Sequence, residues 1–247
     1  MKTLKFSLSN DKLKHIKEWS DIENPKVYSF SLLSGYSCPS AKDCHAYARV
    51  DKVTGKKTLQ DGKHAKFRCF SARDEARLPS VYNQRKHNFD ALLGIKDDYI
   101  DIAILIQESL PKNANFIRVH VGGDFFTKAY MQAWYLVAEK NPNIIFYAYT
   151  KSIKWMSELE YLRPDNFRIT ASYGGKEDDI IDELNLKSAK VVFHPSETNL
   201  PIDHNEYYAI NDEGNFSLLL HGTQKAGSKA SKALSKMLAE GINPNYS

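Results

Sequence analysis

The chain has little of what would mark a secreted, membrane-bound or strongly charged protein. Three cysteines in 247 residues, an odd number, do not make a disulfide framework, and no apolar run approaches the roughly 18 residues a membrane span needs. The N-terminal stretch Met1–Lys17 mixes lysine with apolar residues but has no apolar core ahead of a small-residue cleavage site, so no secretory leader is read there. A reducing, cytoplasmic setting is the expectation. A G-x-S-x-G elbow, a full G-x-G-x-x-G fingerprint and a P-loop are also missing, which removes the usual sequence grounds for an α/β-hydrolase, a dinucleotide enzyme or an NTPase. The net charge of +4 permits contact with an anion such as a nucleotide but does not mark a dedicated nucleic-acid binder.

What is present suits one sizeable α/β domain: 42% hydrophobic and 26% charged residues, with no linker and no repeat beyond a strand–helix period. Residues 1–26 read as an N-terminal extension with a short helix near Asp11–Trp19. Residues 27–70 hold the first strand, Tyr28–Leu33, and a cysteine loop, with an exposed turn or hairpin within Val50–His64. Helices are predicted over Ser71–Leu93, broken or kinked at Pro79, and over Asp97–Leu110. Between 115 and 195, strands Phe116–Val121, Ile144–Thr150, Phe167–Ser172 and Ala189–His194 alternate with helices Thr127–Lys140, Ser152–Leu162 and Glu177–Leu184. That order implies βαβ units and a parallel sheet. Residues 206–240 read as a hairpin, Tyr207–Ile210 with Phe216–Leu220, and a last helix from Ser228 to Glu240. About five parallel strands fit a partial or distorted TIM-like (βα) barrel with a C-terminal hairpin and helix.

Strands buried on both faces should be almost continuously aliphatic, and these are not. Arg118 and His120 share one face while Ile117, Val119 and Val121 take the other; Tyr147, Tyr149 and Lys151 oppose Phe146 and Ala148; Arg168, Thr170 and Ser172 oppose Phe167, Ile169 and Ala171. The apolar sets can pack under helices and the polar sets face a hydrated interior. A parallel sheet binds ligands outside the carboxyl ends of its strands. The cysteine loop, Gly122-Gly123-Asp124, Tyr149-Thr150-Lys151, Ser172 and His194 all fall there. His120, Arg118, Asp124 and His194 are the candidate catalytic groups; Gly122, Gly123, Asp124, Tyr149, Lys151 and Ser172 are the candidate cofactor-binding set.

The cysteines Cys38, Cys44 and Cys69 are spaced C-x5-C-x24-C. Three soft thiolates select an iron–sulfur cluster or zinc. On a [4Fe–4S] cluster they leave one iron open to a small-molecule ligand; a structural zinc needs a fourth ligand, for which His45 and His64 are nearest. The bland alternative is three small buried side chains. Gly174-Gly175, like Gly122-Gly123, follows a strand and suits an anion at its amides. The loop from His221 to Lys229 has the small, basic character of a phosphate or carboxylate cradle.

The order of strand, cysteine loop, helical segment and second strand ending in Gly122-Gly123-Asp124 resembles the radical S-adenosylmethionine (SAM) enzymes. The resemblance implies a [4Fe–4S] cluster on the three cysteines and SAM held through Gly122-Gly123-Asp124. It departs from that family in the long reach to Cys69 and in the aspartate that replaces a glutamate. More of the chain is similar to the phage "gene product 88" family: Ser37-Cys38-Pro39-Ser40-Ala41 through Cys44, His120-Val121-Gly122-Gly123-Asp124-Phe125, Tyr147-Ala148-Tyr149-Thr150-Lys151 and His221-Gly222-Thr223-Gln224. That resemblance implies viral origin and a host cytoplasm, and hands over no reaction. The expectation is an iron–sulfur protein, either a SAM-dependent radical enzyme or one using the open iron as a Lewis acid. The alternative is a non-catalytic zinc- or cluster-stabilised module in phage replication or host takeover.

Overall fold

Six parallel strands run side by side in the order in which the chain makes them. They are β2 (Val27–Phe30), β5 (Phe116–Val119), β6 (Ile145–Thr150), β7 (Phe167–Ser172), β8 (Ser188–Val192) and β9 (Phe216–Leu219). A short strand β1 (Ser7–Leu8), unforeseen within the N-terminal extension, pairs antiparallel with β2 and completes a seven-stranded, mostly parallel sheet. The computed structural model describes residues 3–8, 11–211 and 213–244, the segment 11–14 by its backbone alone. A separate antiparallel ribbon joins β3 (Ala46–Val50) to β4 (Lys57–Asp61), as the turn sequence between them predicts.

Helices α1 (Phe70–Arg77), α2 (Pro79–Leu93) and α3 (Tyr99–Ser109) follow the ribbon; α4 (Lys128–Glu139), α5 (Ile153–Glu158) and α6 (Asp178–Glu183) link successive strands. Pro79 at the first helical position of α2 divides the predicted long helix, because it has no amide for the turn before it. Asp98 caps α3 by accepting the Ile100 and Asp101 amides, and Thr127 caps α4 through the Tyr130 amide. The alternation read from the sequence sorts β5, β6 and β7 as expected. Ile117, Val119, Phe146, Ala148, Phe167, Ile169 and Ala171 join the main core with α3, α4 and α5 residues such as Ile106, Trp134 and Ile153.

The opposite face departs from the expected hydrated interior. Val27, Phe116, Tyr147, Ala189 and Phe216 meet Ile16 of the N-terminal 3-10 turn (Asp11–Glu18) and Ala209 and Ile210 of a further helix, α7 (Tyr207–Asn211). Apolar plugs therefore fill the base of this face, and only its carboxyl end stays open.

The predicted hairpin is wrong: Tyr207–Asn211 is helical, and β9 pairs parallel with β8 (Val192↔Leu219). The intervening Asp212 lies outside the described residues. A four-residue apolar run does not discriminate strand from helix. Local hydrogen bonds tip it, since Asp203 accepts the Asn205 amide and Asn205 accepts the Tyr207 amide. The last helix, α8 (Lys229–Ala239), stands where predicted, capped by Ser228 through the Ser231 amide. No helix among the described residues is long and apolar enough to cross a membrane.

Candidate metal and ligand site

Between Cys44 and Cys69 the chain makes the ribbon, and a ribbon returns to its start: Ala46 pairs with Asp61. The long spacing that separates the third cysteine in sequence thus costs little separation in space. The Asp43 carbonyl accepts the amides of Lys66 (2.7 Å) and Phe67 (3.1 Å), and Gln224 accepts the Arg68 amide at 2.7 Å while donating to the Arg68 carbonyl at 3.3 Å. Gln224, in the His221–Lys229 loop read as an anion cradle, thus holds the backbone beside Cys69.

The other arm of the site is tied as firmly. Ser34, at the start of the cysteine loop, donates its amide (3.0 Å) and hydroxyl (2.8 Å) to Glu75 of α1, and Arg85 of α2 pairs with the same carboxylate oxygen at 2.7 Å. Glu75 and Arg85 are both buried, a network that sequence periodicity does not reveal. Lys42 and Asp43 donate their amides to the Gly174 carbonyl at 3.1 and 2.9 Å, which fastens the loop to the end of β7. The Gly174 and Gly175 amides that suited an anion are taken by Asp178 Oδ2 and Oδ1 at 2.9 and 2.8 Å. The protein supplies its own anion there.

The result is one cavity of about 170 Å³ at the carboxyl ends of the strands, with Cys38, Cys44 and Cys69 all in its wall. Arg118, His120, Gly122, Gly123, Asp124, Tyr149, Lys151 and Ser172 line the same cavity. Of the predicted interior groups, Tyr147, Arg168, Thr170 and His194 are absent from the wall. His194 sits at the surface, its ring bonded to Ser196 (2.7 Å) and Glu240 (2.6 Å), so it anchors the end of the chain's last helix instead of serving as a catalytic candidate in the cavity. His45 and His64 line a neighbouring hollow of about 490 Å³ with Lys42, Lys63 and Lys176, and Cys38 borders both spaces.

The thiols are half-buried, and without a cation Cys38 and Cys69 hold their protons. Burial first, then Asp124 and Cys69, push Cys38 well above the ordinary thiol range; burial and Cys44 push Cys69 up to about 11. A metal or cluster entering here displaces protons. Among the described residues no three His, Cys, Asp or Glu side chains stand close enough to hold a single metal ion.

Asp124 is committed to its own backbone. It accepts the Phe125 amide and the Thr150 hydroxyl, each at 2.7 Å, and the Lys151 amide at 2.8 Å, bracing β5 against β6. Burial raises its carboxyl to about 6 against the opposing pull of those donors. Gly122 and Gly123 are likewise packed inward: a Cβ on Gly122 would lie 2.1 Å from Ser71 Oγ, and one on Gly123, whose φ is +92°, 2.6 Å from Ser37 Oγ.

His120 is the strained member of the wall, with φ at +73°, a region that non-glycine residues rarely adopt. Its Nε2 meets the Tyr130 hydroxyl at 2.9 Å, while its buried Nδ1 has no partner in the protein. Burial lowers its pKa to about 3, so the ring is neutral. Arg118 pairs with Glu206, whose other oxygen accepts the Tyr149 hydroxyl at 3.1 Å, and the guanidinium lies over the Tyr149 ring.

The family model described as "Gene product 88" matches residues 3–237. The chain belongs to the gene product 88 family. The match takes in the three cysteines and every residue named in the cavity wall. A curated relative, the "Gene 88 protein" of Mycobacterium phage L5, is 25% identical over 166 residues, 59% of this chain and 69% of the relative. No solved structure matches. These comparisons bear out the likeness to a phage family and lend no support to kinship with radical SAM enzymes. Nor does the carboxylate of Asp124, bonded as it is, stand ready to take a ligand amine in this gene product 88 protein.

Proposed function

We propose that this gene product 88 protein is an iron–sulfur protein of the host cytoplasm. Cys38, Cys44 and Cys69 hold a [4Fe–4S] cluster and leave one iron facing a small-molecule ligand. On this reading the six parallel strands act as a partial (βα) barrel with the cluster at its mouth. One observation carries the proposal: the only three cysteines of the chain, far apart in sequence, share the wall of one cavity at the ligand-binding end of a parallel sheet.

Three soft thiolates are the donor type that an iron–sulfur cluster or zinc takes. A single zinc ion draws its thiolates to within roughly 3.8 Å of one another, given a Zn–S bond of about 2.3 Å in a tetrahedron. A cluster, by contrast, places each thiolate on a different iron, so its ligands stand farther apart. Bound there, the cluster supplies electron transfer or a Lewis-acidic iron. The protein's own contribution is positional. Glu75, Arg85 and Gln224 fix the two arms of the loop, Asp124 braces the strand ends, and the neutral His120 lines the cavity.

The SAM-dependent version of the reading is less well supported. The cavity, at about 170 Å³, is smaller than the roughly 300 Å³ at which sites for drug-sized ligands begin, and Asp124 is already engaged. Anaerobic purification followed by Mössbauer and electron paramagnetic resonance spectroscopy tests the proposal. A four-iron signal with one iron that responds to added ligand supports it; zinc in place of iron selects the non-catalytic metal-stabilised module. Release of 5′-deoxyadenosine from SAM by the reduced protein would restore the radical reading.

A further inference from the structure

Three cationic side chains line the cavity, and two are matched by acids. Arg118 pairs with Glu206, and Arg68 with Asp61 at 2.8 Å. Lys151 is different. It is 9% exposed, its ammonium donates to Ser172 Oγ at 2.6 Å, and among the described residues no carboxylate lies within ion-pair distance of it. The nearest acid in the wall, Asp124, uses its oxygens on the Phe125 and Lys151 amides and the Thr150 hydroxyl. The ammonium's only hydrogen-bond partner among the described residues is neutral, and the Asp124 charge acts on it through space alone, so its donors are left short of acceptors. An anion would supply them.

We propose that Lys151 and Ser172 form the carboxylate-binding pole of the cavity, so that the ligand is a small carboxylic acid whose remaining atoms extend toward the thiols. Two observations set the class. An ammonium and an adjacent hydroxyl, donors from neighbouring strand ends, match the two oxygens of a carboxylate, whereas a lysine that binds phosphate is backed by a guanidinium or several amides in a row. The arginines of the wall are already paired, and the Gly174 and Gly175 amides are closed by Asp178. The cavity volume of about 170 Å³ holds a compact molecule. The inference deepens the reading of this cavity as a ligand site, and its test needs no turnover.

Calorimetric titration and thermal denaturation of the full chain with acetate, glycolate, inorganic phosphate and neutral acetamide, iron being assayed on the same samples, decide it. Glycolate and acetate should bind and raise the melting temperature, with phosphate weaker and acetamide without effect. Lys151→Met should bind glycolate roughly tenfold or more weakly, as expected for loss of a charged hydrogen bond, yet melt no lower than the wild type when no ligand is present. Equal response of wild type and variant, or tighter binding of phosphate, overturns the inference. If Lys151→Met does not fold, Ser172→Ala carries the test, with a several-fold loss of glycolate affinity expected. Glycolate binding that survives in iron-free protein unable to take up a cluster separates this inference from the iron–sulfur proposal, which would then fail alone.

Discussion

Removing the Glu75 carboxylate tests how the two arms of the cysteine loop are held. Glu75 is fully buried, accepts the amide and hydroxyl of Ser34, and pairs at 2.7 Å with Arg85, whose side chain is 9% exposed. Glu75→Ala leaves the guanidinium buried without a counter-charge and strips the Ser34 amide of its acceptor. Breaking one half of such a pair costs about 3–5 kcal/mol. For a domain of this size, at roughly 2–4 °C per kcal/mol, the melting temperature should fall by about 10 °C. Urea denaturation followed by circular dichroism measures the loss, and Glu75→Gln, which keeps acceptors for Ser34 but not the charge, should fall between. The double replacement Glu75→Leu with Arg85→Met removes both charges and should recover most of the stability. Because Ser34 precedes Cys38 and α1 follows Cys69, Glu75→Ala should also speed reaction of the thiols with Ellman's reagent. A loss below about 1 kcal/mol, the worth of an ordinary exposed pair, or a double variant worse than the single, would refute this reasoning.

Two other substitutions probe different parts of the account. Gly122→Ala places a methyl 2.1 Å from Ser71 Oγ and 2.8 Å from Arg85 Nη1, so it should destabilise by at least the roughly 1–3 kcal/mol of an overpacked core, read by denaturant midpoint. Asp203, buried beside Glu206 with Oδ2 unpartnered, has its carboxyl raised from 3.8 to about 6, chiefly by burial and then by the Glu206 charge. The folded state therefore holds a proton that the unfolded state releases between about pH 4 and pH 6. Stability should fall by about 3 kcal/mol as pH rises across that window, and Asp203→Asn should abolish the slope and exceed the wild type at pH 8.

Much of this architecture is legible in the sequence because period and caps agree. Thr127 ahead of an apolar stripe and Ser228 before the last helix stand as the caps they resemble, and Pro79, read as a break or a kink, is a break. Alternation in β5 to β7 also sorts the two faces correctly. It does not show what covers the second face, since Ile16, Ala209 and Ile210 reach it from distant segments. Tyr207–Ile210 misleads for lack of length, and its helix rests on hydrogen bonds at Asp203 and Asn205. Within the site, Cys38, Cys44 and Cys69 line one cavity because the ribbon absorbs the spacing. Glycine pairs are less telling: Gly122-Gly123 and Gly174-Gly175 look alike in sequence, yet Asp178 closes the second pair and close packing explains the first. Glu75, Arg85 and Gln224 carry no local signal, because their partners lie far off along the chain.

The central claim is that three thiols hold one inorganic cluster, and metal analysis of the cysteine variants tests it most directly. Iron and acid-labile sulfide are measured in anaerobically purified wild type beside Cys38→Ala, Cys44→Ala and Cys69→Ala. The account predicts roughly four iron and four sulfide per wild-type chain, with both falling together in each variant. Iron-free wild type that folds normally, or a Cys69→Ala variant with undiminished iron and sulfide, would contradict it.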